Sequence, residues 1–152
     1  MLSIKRTNSE SADFRKLNTE LDKELAISDG KGHSFYAQYN KIDSIHHVLV
    51  VYNNDKPIAC GAIKKYSDEV MEIKRMFVLP EHRGNGIATL VLKELEKWAK
   101  ELNFKKCILE TGINQPDAIS LYKKNAYKII PNYGQYANVE NSFCFEKEIS
   151  VN

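Results

Sequence analysis

Apolar residues recur at helical spacing in two long stretches of the chain. The clearer stretch runs from residue 87 to residue 102, with gaps of 4, 4, 3 and 4 residues between Ile87, Val91, Leu95, Trp98 and Leu102. The other runs from Ser11 to Ile27 and is followed by Asp29-Gly30, residues that commonly end a helix. Shorter helices are predicted over the aromatic-rich segment Phe35–Asn40 and over Pro116–Tyr122, which begins with proline.

Segments rich in β-branched and aromatic residues interleave with these helices and predict strands. They are Leu2–Thr7, His47–Tyr52, Pro57–Lys64, Val70–Val78, Lys106–Thr111, Tyr127–Ile130 and Ser142–Ile149. Because strands outnumber helices and alternate with them, the sequence predicts an α/β (α+β) fold around one mixed sheet. A length of 152 residues predicts a single domain over residues 1–152.

Charge and hydropathy exclude several classes of function. The 22 basic and 20 acidic residues give a net charge of +2, which is too even for a protein that binds nucleic acid. The longest apolar run, Val48–Tyr52, is far shorter than the roughly 18 residues that a membrane-spanning helix needs. Charged residues follow Met1 with no apolar stretch behind them, so no signal peptide is expected. We expect a cytoplasmic protein that binds neither nucleic acid nor membranes.

The cysteines and histidines do not predict a metal site. Cys60, Cys107 and Cys144 are odd in number, far apart, and each lies in an apolar, strand-like segment. A zinc site favours closely spaced pairs such as C-x-x-C, so we expect three buried free thiols. His46-His47 precedes the apolar run without a set of further ligands close by in sequence, and it is interpreted as the start of a strand.

A glycine-containing loop, Arg83-Gly84-Asn85-Gly86, stands directly before the clearest helix. Glycines permit close approach of an anion to the free N–H groups of a helix N-terminus, and Arg83 adds a positive charge, so the loop is suited to a diphosphate. A tight turn before a helix would use the same residues. No lysine follows Gly86, which disfavours a P-loop. Thr89 replaces the third glycine of the dinucleotide motif, yet Glu110 has the place of a ribose-binding acid, so a nicotinamide cofactor stays open.

Five segments of the chain form a co-linear set: residues 72–78 with Pro80, 83–88, 118–127, 132–136 and 144–147. Together they resemble the GNAT superfamily of N-acetyltransferases. Residues 83–88 fit its acetyl-coenzyme A motif, [Q/R]-x-x-G-x-[G/A], and residues 72–78, with Pro80, resemble its fourth strand. Residues 118–127 resemble its A-x-x-L-Y-x-x-x-G-F segment, and residues 132–136 and 144–147 resemble the closing strands of its small bacterial members. These segments occur in the family's order and spacing over about half of the chain.

The resemblance implies a mixed, mostly antiparallel sheet with splayed strands, flanked by helices. It also implies acetyl-coenzyme A as co-substrate, no metal, and direct acetyl transfer to a primary amine of a small molecule or a peptide. The residues it places at the coenzyme are Met76, Phe77, Val78, Arg83, Gly84, Asn85, Gly86, Ile87, Ala88, Thr89, Gln115 and Tyr122. A homodimer is left open, since nothing in the sequence decides the oligomeric state.

Two residues are candidates for the proton transfers. By resemblance Tyr122 is the general acid that protonates the leaving thiolate, the alternative being an aromatic packing residue. Glu72 is the candidate base, with Lys74, Met76 and Val78 on its face of the strand if alternation holds. The alternative interpretation of Glu72 is a carboxylate that pairs with Lys74 or Arg75. Many members of the family use a water as the base. A non-catalytic acyl-coenzyme A binding or sensing domain would need neither group.

The chain departs from the family pattern at the end of its last helix. Ala126 replaces the usual glycine, so we expect Asn125 to adopt the left-handed conformation if one is needed there. Gln115 stands where many members have asparagine. Four tyrosines are expected near the acceptor: Tyr36, Tyr39, Tyr133 and Tyr136. We expect most of them to be packing residues and one or two to line the acceptor pocket.

Overall fold

A computed structural model describes residues 1–30, 42 and 45–150 of the chain. The elements are β1 (Leu2–Thr7), α1 (Ala12–Asp29), β2 (His47–Asn53), β3 (Lys56–Lys65), β4 (Val70–Val78), α2 (Ile87–Glu101), β5 (Lys106–Gly112), α3 (Pro116–Lys124), β6 (Lys128–Ile130) and β7 (Ser142–Glu148). Short 3₁₀ turns occupy Pro80–His82 and Gly134–Tyr136. The helix predicted over Phe35–Asn40, with Tyr36 and Tyr39, lies outside the described residues.

One seven-stranded sheet organises the fold, in the order β1-β2-β3-β4-β5-β7-β6. Every neighbouring pair is antiparallel except β4 and β5, which are parallel. Those two strands pair over three residues each, Val70–Glu72 with Lys106–Ile108. Because both strands continue beyond this ladder, their carboxyl-terminal halves separate in the middle of the sheet. The predicted α/β fold with splayed central strands is confirmed.

Helix α1 covers one face of the sheet. Ser11 begins it, because its hydroxyl oxygen accepts a hydrogen bond from the Phe14 amide at 3.2 Å. Gly30 ends it with a φ of 54°. Its apolar stripe and the residues that it meets form one buried cluster of Phe14, Leu17, Leu21, Ile45, Val48, Val50, Cys60, Ala62 and Phe77. The helix predicted here is confirmed and extends two residues farther.

Helix α2 covers the opposite face and packs unusually close to β3. Its buried positions, Ile87, Val91, Leu92, Leu95 and Ala99, match the predicted stripe apart from its carboxyl-terminal residues. A Cβ atom at Gly61 would lie 2.7 Å from a methyl group of Val91 and 2.8 Å from the Met76 sulfur. The absence of a side chain at Gly61 therefore sets how closely the helix approaches the sheet.

A bulge in β4 changes which residues share a face. Cys60 pairs with Phe77 and Ala62 pairs with Lys74, so β4 has one more residue than β3 in this interval. Arg75 lies in this bulge with a φ of 59°. Glu72 and Lys74, which precede the bulge, face the α1 side together with Ala62, the partner of Lys74 in β3. Met76 and Val78 pack with the α2-side core, so the expectation that they share the face of Glu72 is wrong.

The end of α3 corrects a second expectation. Asn125 has a φ of −96°, whereas Ala126 adopts the left-handed conformation with a φ of 72°. Asn125 acts through its side chain, whose amide nitrogen donates to the Leu121 carbonyl oxygen at 2.8 Å. The Asn125 side chain therefore caps the carboxyl-terminal end of α3. Ala126 adopts the left-handed conformation at the position where the family pattern has glycine.

The three cysteines are buried and free, as predicted. Burial raises the pKa of Cys60 and of Cys107 to about 12, so neither is a reactive thiolate at neutral pH. No helix in residues 1–30 or 45–150 combines the length and the apolar character needed to cross a membrane.

Candidate active site

A cavity of about 850 Å³ opens where β4 and β5 separate. The carboxyl-terminal half of α1, the amino-terminal end of α2, and α3 complete its walls. All but one of the residues predicted for the coenzyme and for catalysis line it: Glu72, Met76, Phe77, Val78, Arg83, Gly84, Gly86, Ile87, Ala88, Thr89, Gln115 and Tyr122. Asn85 is the exception, since its exposed side chain donates from Nδ2 to the His82 carbonyl oxygen at 3.4 Å.

The glycine loop leaves the start of α2 open to an anion. Gly84 and Gly86 have φ values of 82° and 79°, which glycine adopts without strain, and Gly86 is the residue that precedes the helix. Within the described chain no side chain caps these first helical N–H groups. Their hydrogen-bonding capacity and the positive end of the helix dipole therefore remain available to a negatively charged ligand.

Arg83 is already paired within the protein. Its Nε donates to the Val78 carbonyl oxygen at 2.8 Å, and its Nη2 lies 2.8 Å and 3.0 Å from the two carboxylate oxygens of Glu24. On the other side of the cavity, the Asn114 amide donates to the carbonyl oxygen of Ser28 at 3.1 Å. These contacts connect α1 to both loops that flank the cavity. The side chain of Arg83 would have to leave Glu24 before it could approach a diphosphate.

Tyr122 presents a protonated hydroxyl in the cavity. The residue is 6% exposed, and its ring packs edge-on against Tyr127 with centroids 5.8 Å apart and at an angle against Phe145 at 6.0 Å. Its hydroxyl has no hydrogen-bond partner among the described residues. Burial, and secondarily the charge of Glu110, raise the pKa of Tyr122, so the hydroxyl keeps its proton at neutral pH. The group can therefore donate a proton.

Glu72 is buried and held by two neighbours. The Tyr133 hydroxyl donates to its Oε2 at 2.7 Å, and the Lys74 ammonium nitrogen lies 3.9 Å from its Oε1. Arg75 is not its partner, because that guanidinium pairs with Asp22 at 2.6 Å and with Asn18 of α1. Glu72 is therefore a paired carboxylate, as the alternative interpretation expected, and its charged partner is Lys74. A paired carboxylate that lines a cavity can still accept a proton, so the candidate base remains.

The structure adds Lys74 and Glu110 to the residues that line the cavity. Glu110 accepts a hydrogen bond from the Ser142 hydroxyl at 2.6 Å. Burial lowers the pKa of Lys74, and the charge of Glu72 opposes this shift. Strand alternation already predicted Lys74 on the face of Glu72, and the structure confirms this part of the expectation. The role of Glu110 depends on contacts between distant segments, which the sequence does not give.

Two of the four candidate acceptor tyrosines lie in the described part of the chain. Tyr133 and Tyr136 pack edge-on with centroids 5.8 Å apart, and Tyr66 packs against Tyr133 at 5.2 Å. Tyr136 lines the cavity, whereas Tyr133 reaches it through Glu72. Burial and the charge of Glu72 raise the pKa of Tyr133, so its hydroxyl stays a donor to the carboxylate. This part of the cavity therefore combines carboxylates with aromatic rings.

Comparisons with known proteins point to one family. A model described as the acetyltransferase (GNAT) family matches residues 11–127. An IAA acetyltransferase of Azospirillum brasilense is 32% identical over 102 residues, which cover 66% of this chain and 67% of that protein. The uncharacterised N-acetyltransferase YjgM of Escherichia coli is 30% identical over 113 residues, 72% of this chain and 66% of that protein. The matched regions thus span about two thirds of these relatives.

Solved structures share the fold over nearly the whole chain. A Klebsiella pneumoniae protein assigned to the acyl-CoA N-acyltransferases has a TM-score of 0.83 and 25% identity, covering 98% of both chains. The PaiA N-acetyltransferase of Thermoplasma acidophilum, solved with coenzyme A, has a TM-score of 0.73 at 19% identity and covers 97% of this chain and 99% of its own. A GNAT protein of Elizabethkingia anophelis with acetyl-CoA bound has a TM-score of 0.71 at 20% identity and covers 97% of both.

Proposed function

Because the chain belongs to the GNAT family of acetyltransferases, we propose that it transfers the acetyl group of acetyl-coenzyme A directly to a primary amine of a small molecule or a peptide. One observation carries this proposal. A single cavity contains an uncapped helix N-terminus, a protonated tyrosine hydroxyl and a buried carboxylate, which are the three groups that such a transfer requires.

The coenzyme would occupy the gap between the two central strands. Its diphosphate would accept hydrogen bonds from the N–H groups at the start of α2, where the helix dipole favours negative charge. The main chain of Met76, Phe77 and Val78 pairs with β3 on one edge and lies beyond the β4–β5 ladder on the other. The polar groups on this second edge face the gap and can pair with the amide groups of the pantetheine arm, while the Val78 carbonyl oxygen also accepts a hydrogen bond from Arg83. One N–H group of this segment would polarise the thioester carbonyl.

Two proton transfers complete the reaction. A primary amine with a pKa of about 10 is mostly protonated at neutral pH and must lose a proton before it can attack. Glu72, held by Tyr133 and Lys74, would accept that proton, directly or through a water. Tyr122 would donate its hydroxyl proton to the sulfur as the carbon–sulfur bond breaks. Acetyl-coenzyme A supplies the activated acetyl group for this sequence.

A coenzyme A release assay tests the proposal. The chain is incubated with acetyl-coenzyme A and a panel of amines, polyamines, amino acids and peptides, and acetylated product is measured by mass spectrometry. We expect at least one amine to yield acetyl-amide in amounts equal to the coenzyme A released. Tight binding of acetyl-coenzyme A without turnover on any amine would contradict catalysis and favour a sensing domain.

A further inference from the structure

A lysine of this chain lies deep in the same cavity. Two lysines, Lys74 and Lys124, line the described walls. Lys124 is exposed at the end of α3, whereas the side chain of Lys74 is only 10% exposed. A buried ammonium group loses hydration, and this loss is tolerated where a carboxylate lies nearby. Lys74 is therefore a built-in amine in a cavity that we assign to amine acetylation.

The position of this amine relative to the proposed base is the important geometric fact. Strand alternation places Lys74 on the face of Glu72, and the bulge at Arg75 turns Met76 to the opposite face. The Nζ atom of Lys74 lies 3.9 Å from Oε1 of Glu72. The other oxygen, Oε2, is taken by the Tyr133 hydroxyl. A substrate amine that gives its proton to Oε1 of Glu72 approaches the oxygen that Lys74 now faces.

The electrostatic environment of Lys74 favours its neutral form. Burial is the largest influence and lowers the pKa of Lys74. The charges of Lys64 and Arg75 act in the same direction, while those of Glu72 and Glu110 oppose it. A lowered pKa increases the fraction of neutral amine, which is the form that attacks a thioester.

We propose that Lys74 is itself acetylated by acetyl-coenzyme A bound in this cavity; this inference rests on the proposed function. The neutral Nζ atom attacks the thioester carbonyl carbon, so that a nitrogen–carbon bond forms and the carbon–sulfur bond breaks. The proton lost from Nζ goes to Glu72, and the Tyr122 hydroxyl gives its proton to the sulfur. The products are N-acetyllysine and coenzyme A. Acetylation removes the charge of Lys74 and ends its ion pair with Glu72.

The test is labelling of the wild-type chain with isotopically labelled acetyl-coenzyme A and no added acceptor. Peptide mapping by mass spectrometry then gives the rate at each lysine. We expect Lys74 to acquire label about 10²-fold faster than the exposed Lys64, because Lys64 does not line the cavity and reacts without a positioned base. The rate at Lys74 should saturate at the coenzyme concentrations that saturate binding, and it should not depend on protein concentration.

A variant separates enzymatic from chemical labelling. Glu72→Gln removes the base and also the charge that raises the pKa of Lys74. We expect the loss of the base to dominate, so that labelling of Lys74 slows by about 10²-fold while that of Lys64 keeps its wild-type rate. If the wild-type chain binds acetyl-coenzyme A and acetylates an added amine while Lys74 reacts no faster than Lys64, this inference is wrong and the proposed function stands. If acetyl-coenzyme A does not bind, both are wrong. The wild-type comparison alone decides the matter should the variant fail to fold.

Discussion

The hydroxyl of Tyr122 is the atom on which the proposed chemistry depends most. Tyr122→Phe removes it without breaking a hydrogen bond in the described structure, and the phenyl ring keeps its packing against Tyr127 and Phe145. We expect kcat and kcat/KM to fall together by about 10²- to 10⁴-fold, because the interaction is made mainly in the transition state. Coenzyme affinity and the melting temperature should stay close to wild type. A wild-type rate, with chemistry shown to be limiting, would make Tyr122 a packing residue.

Glu72 offers a second test through the dependence of the rate on pH. Glu72→Gln keeps the size of the side chain and an oxygen acceptor for the Tyr133 hydroxyl, but it cannot accept a proton. If Glu72 is the base, the rate of the variant should be strongly reduced near neutral pH. The defect should shrink as pH rises toward the pKa of the amine, about 10, where the amine deprotonates unaided. A pH–rate profile with a defect that is constant across pH would contradict the assignment.

Ala126 carries a conformational cost that a single substitution can measure. A left-handed φ costs a residue with a Cβ atom roughly 1–2 kcal/mol, and glycine would avoid this cost. Glycine also has more conformational entropy in the unfolded chain, which offsets about 0.4–1 kcal/mol of the gain. Ala126→Gly should therefore raise the free energy of unfolding by about 0.5–1 kcal/mol in a denaturant titration.

The matched control for Ala126 is Ala26→Gly, at an exposed position inside α1. There glycine should lower the free energy of unfolding by about 0.5–1 kcal/mol. If both substitutions destabilise the chain equally, the left-handed conformation at Ala126 costs nothing measurable.

At the scale of elements, the amino-terminal end of α2 is the proposed diphosphate site. Ala88 lines the cavity in the first turn, so Ala88→Glu would place a negative charge where the diphosphate should lie. We expect acetyl-coenzyme A affinity, measured by calorimetry, to fall about 10- to 100-fold, although the helix itself gains from the added charge.

The control for this substitution is Lys97→Gln, which changes the net charge by the same amount on an exposed position of α2. It lies about 14 Å farther along the helix, beyond the screening length at physiological salt. The affinity of the Lys97→Gln variant for acetyl-coenzyme A should stay within about twofold of wild type. Equal losses in the two variants would show a general charge effect and not a site at the helix start.

Some elements were predictable from local sequence, and others depend on contacts between distant segments. Helix α2 begins at the predicted residue and ends one residue early, because its apolar spacing and the preceding glycines are local signals. The bulge in β4 was missed because simple alternation describes the segment equally well without it. The extra residue is recognised only from the pairing of Cys60 and Ala62 with Phe77 and Lys74.

The end of α3 also depends on contacts that the sequence does not show. Composition favoured Asn125 for the left-handed position, since asparagine tolerates it better than alanine does. The side chain of Asn125 is instead used to hold the Leu121 carbonyl and to contact the Thr89 hydroxyl at 3.5 Å. The backbone turn therefore falls on Ala126. The hydrogen bonds of the Asn125 side chain thus decided which residue takes the left-handed conformation, and the sequence alone does not show these hydrogen bonds.

At the scale of the whole molecule, the candidate site results from the separation of two parallel strands. Tyr122 and the glycine loop were predicted by motif, and the structure brings both to one cavity. The neighbours of Glu72 come from β4 and from the segment before β7, with Tyr133 61 positions away in sequence. Such long-range neighbours define the part of the cavity around Glu72, which explains why the motifs predicted the residues at the start of α2 more fully.

The central claim is that this cavity binds acetyl-coenzyme A, and a comparison of melting temperatures tests it most directly. A ligand that binds the folded chain at a hundredfold excess over its Kd adds about 2.7 kcal/mol of stability, or roughly 5–10 °C for a chain of this size. We predict such a rise with acetyl-coenzyme A and little change with NADH or ATP at equal concentration. A rise with NADH that equals or exceeds the rise with acetyl-coenzyme A would contradict the account.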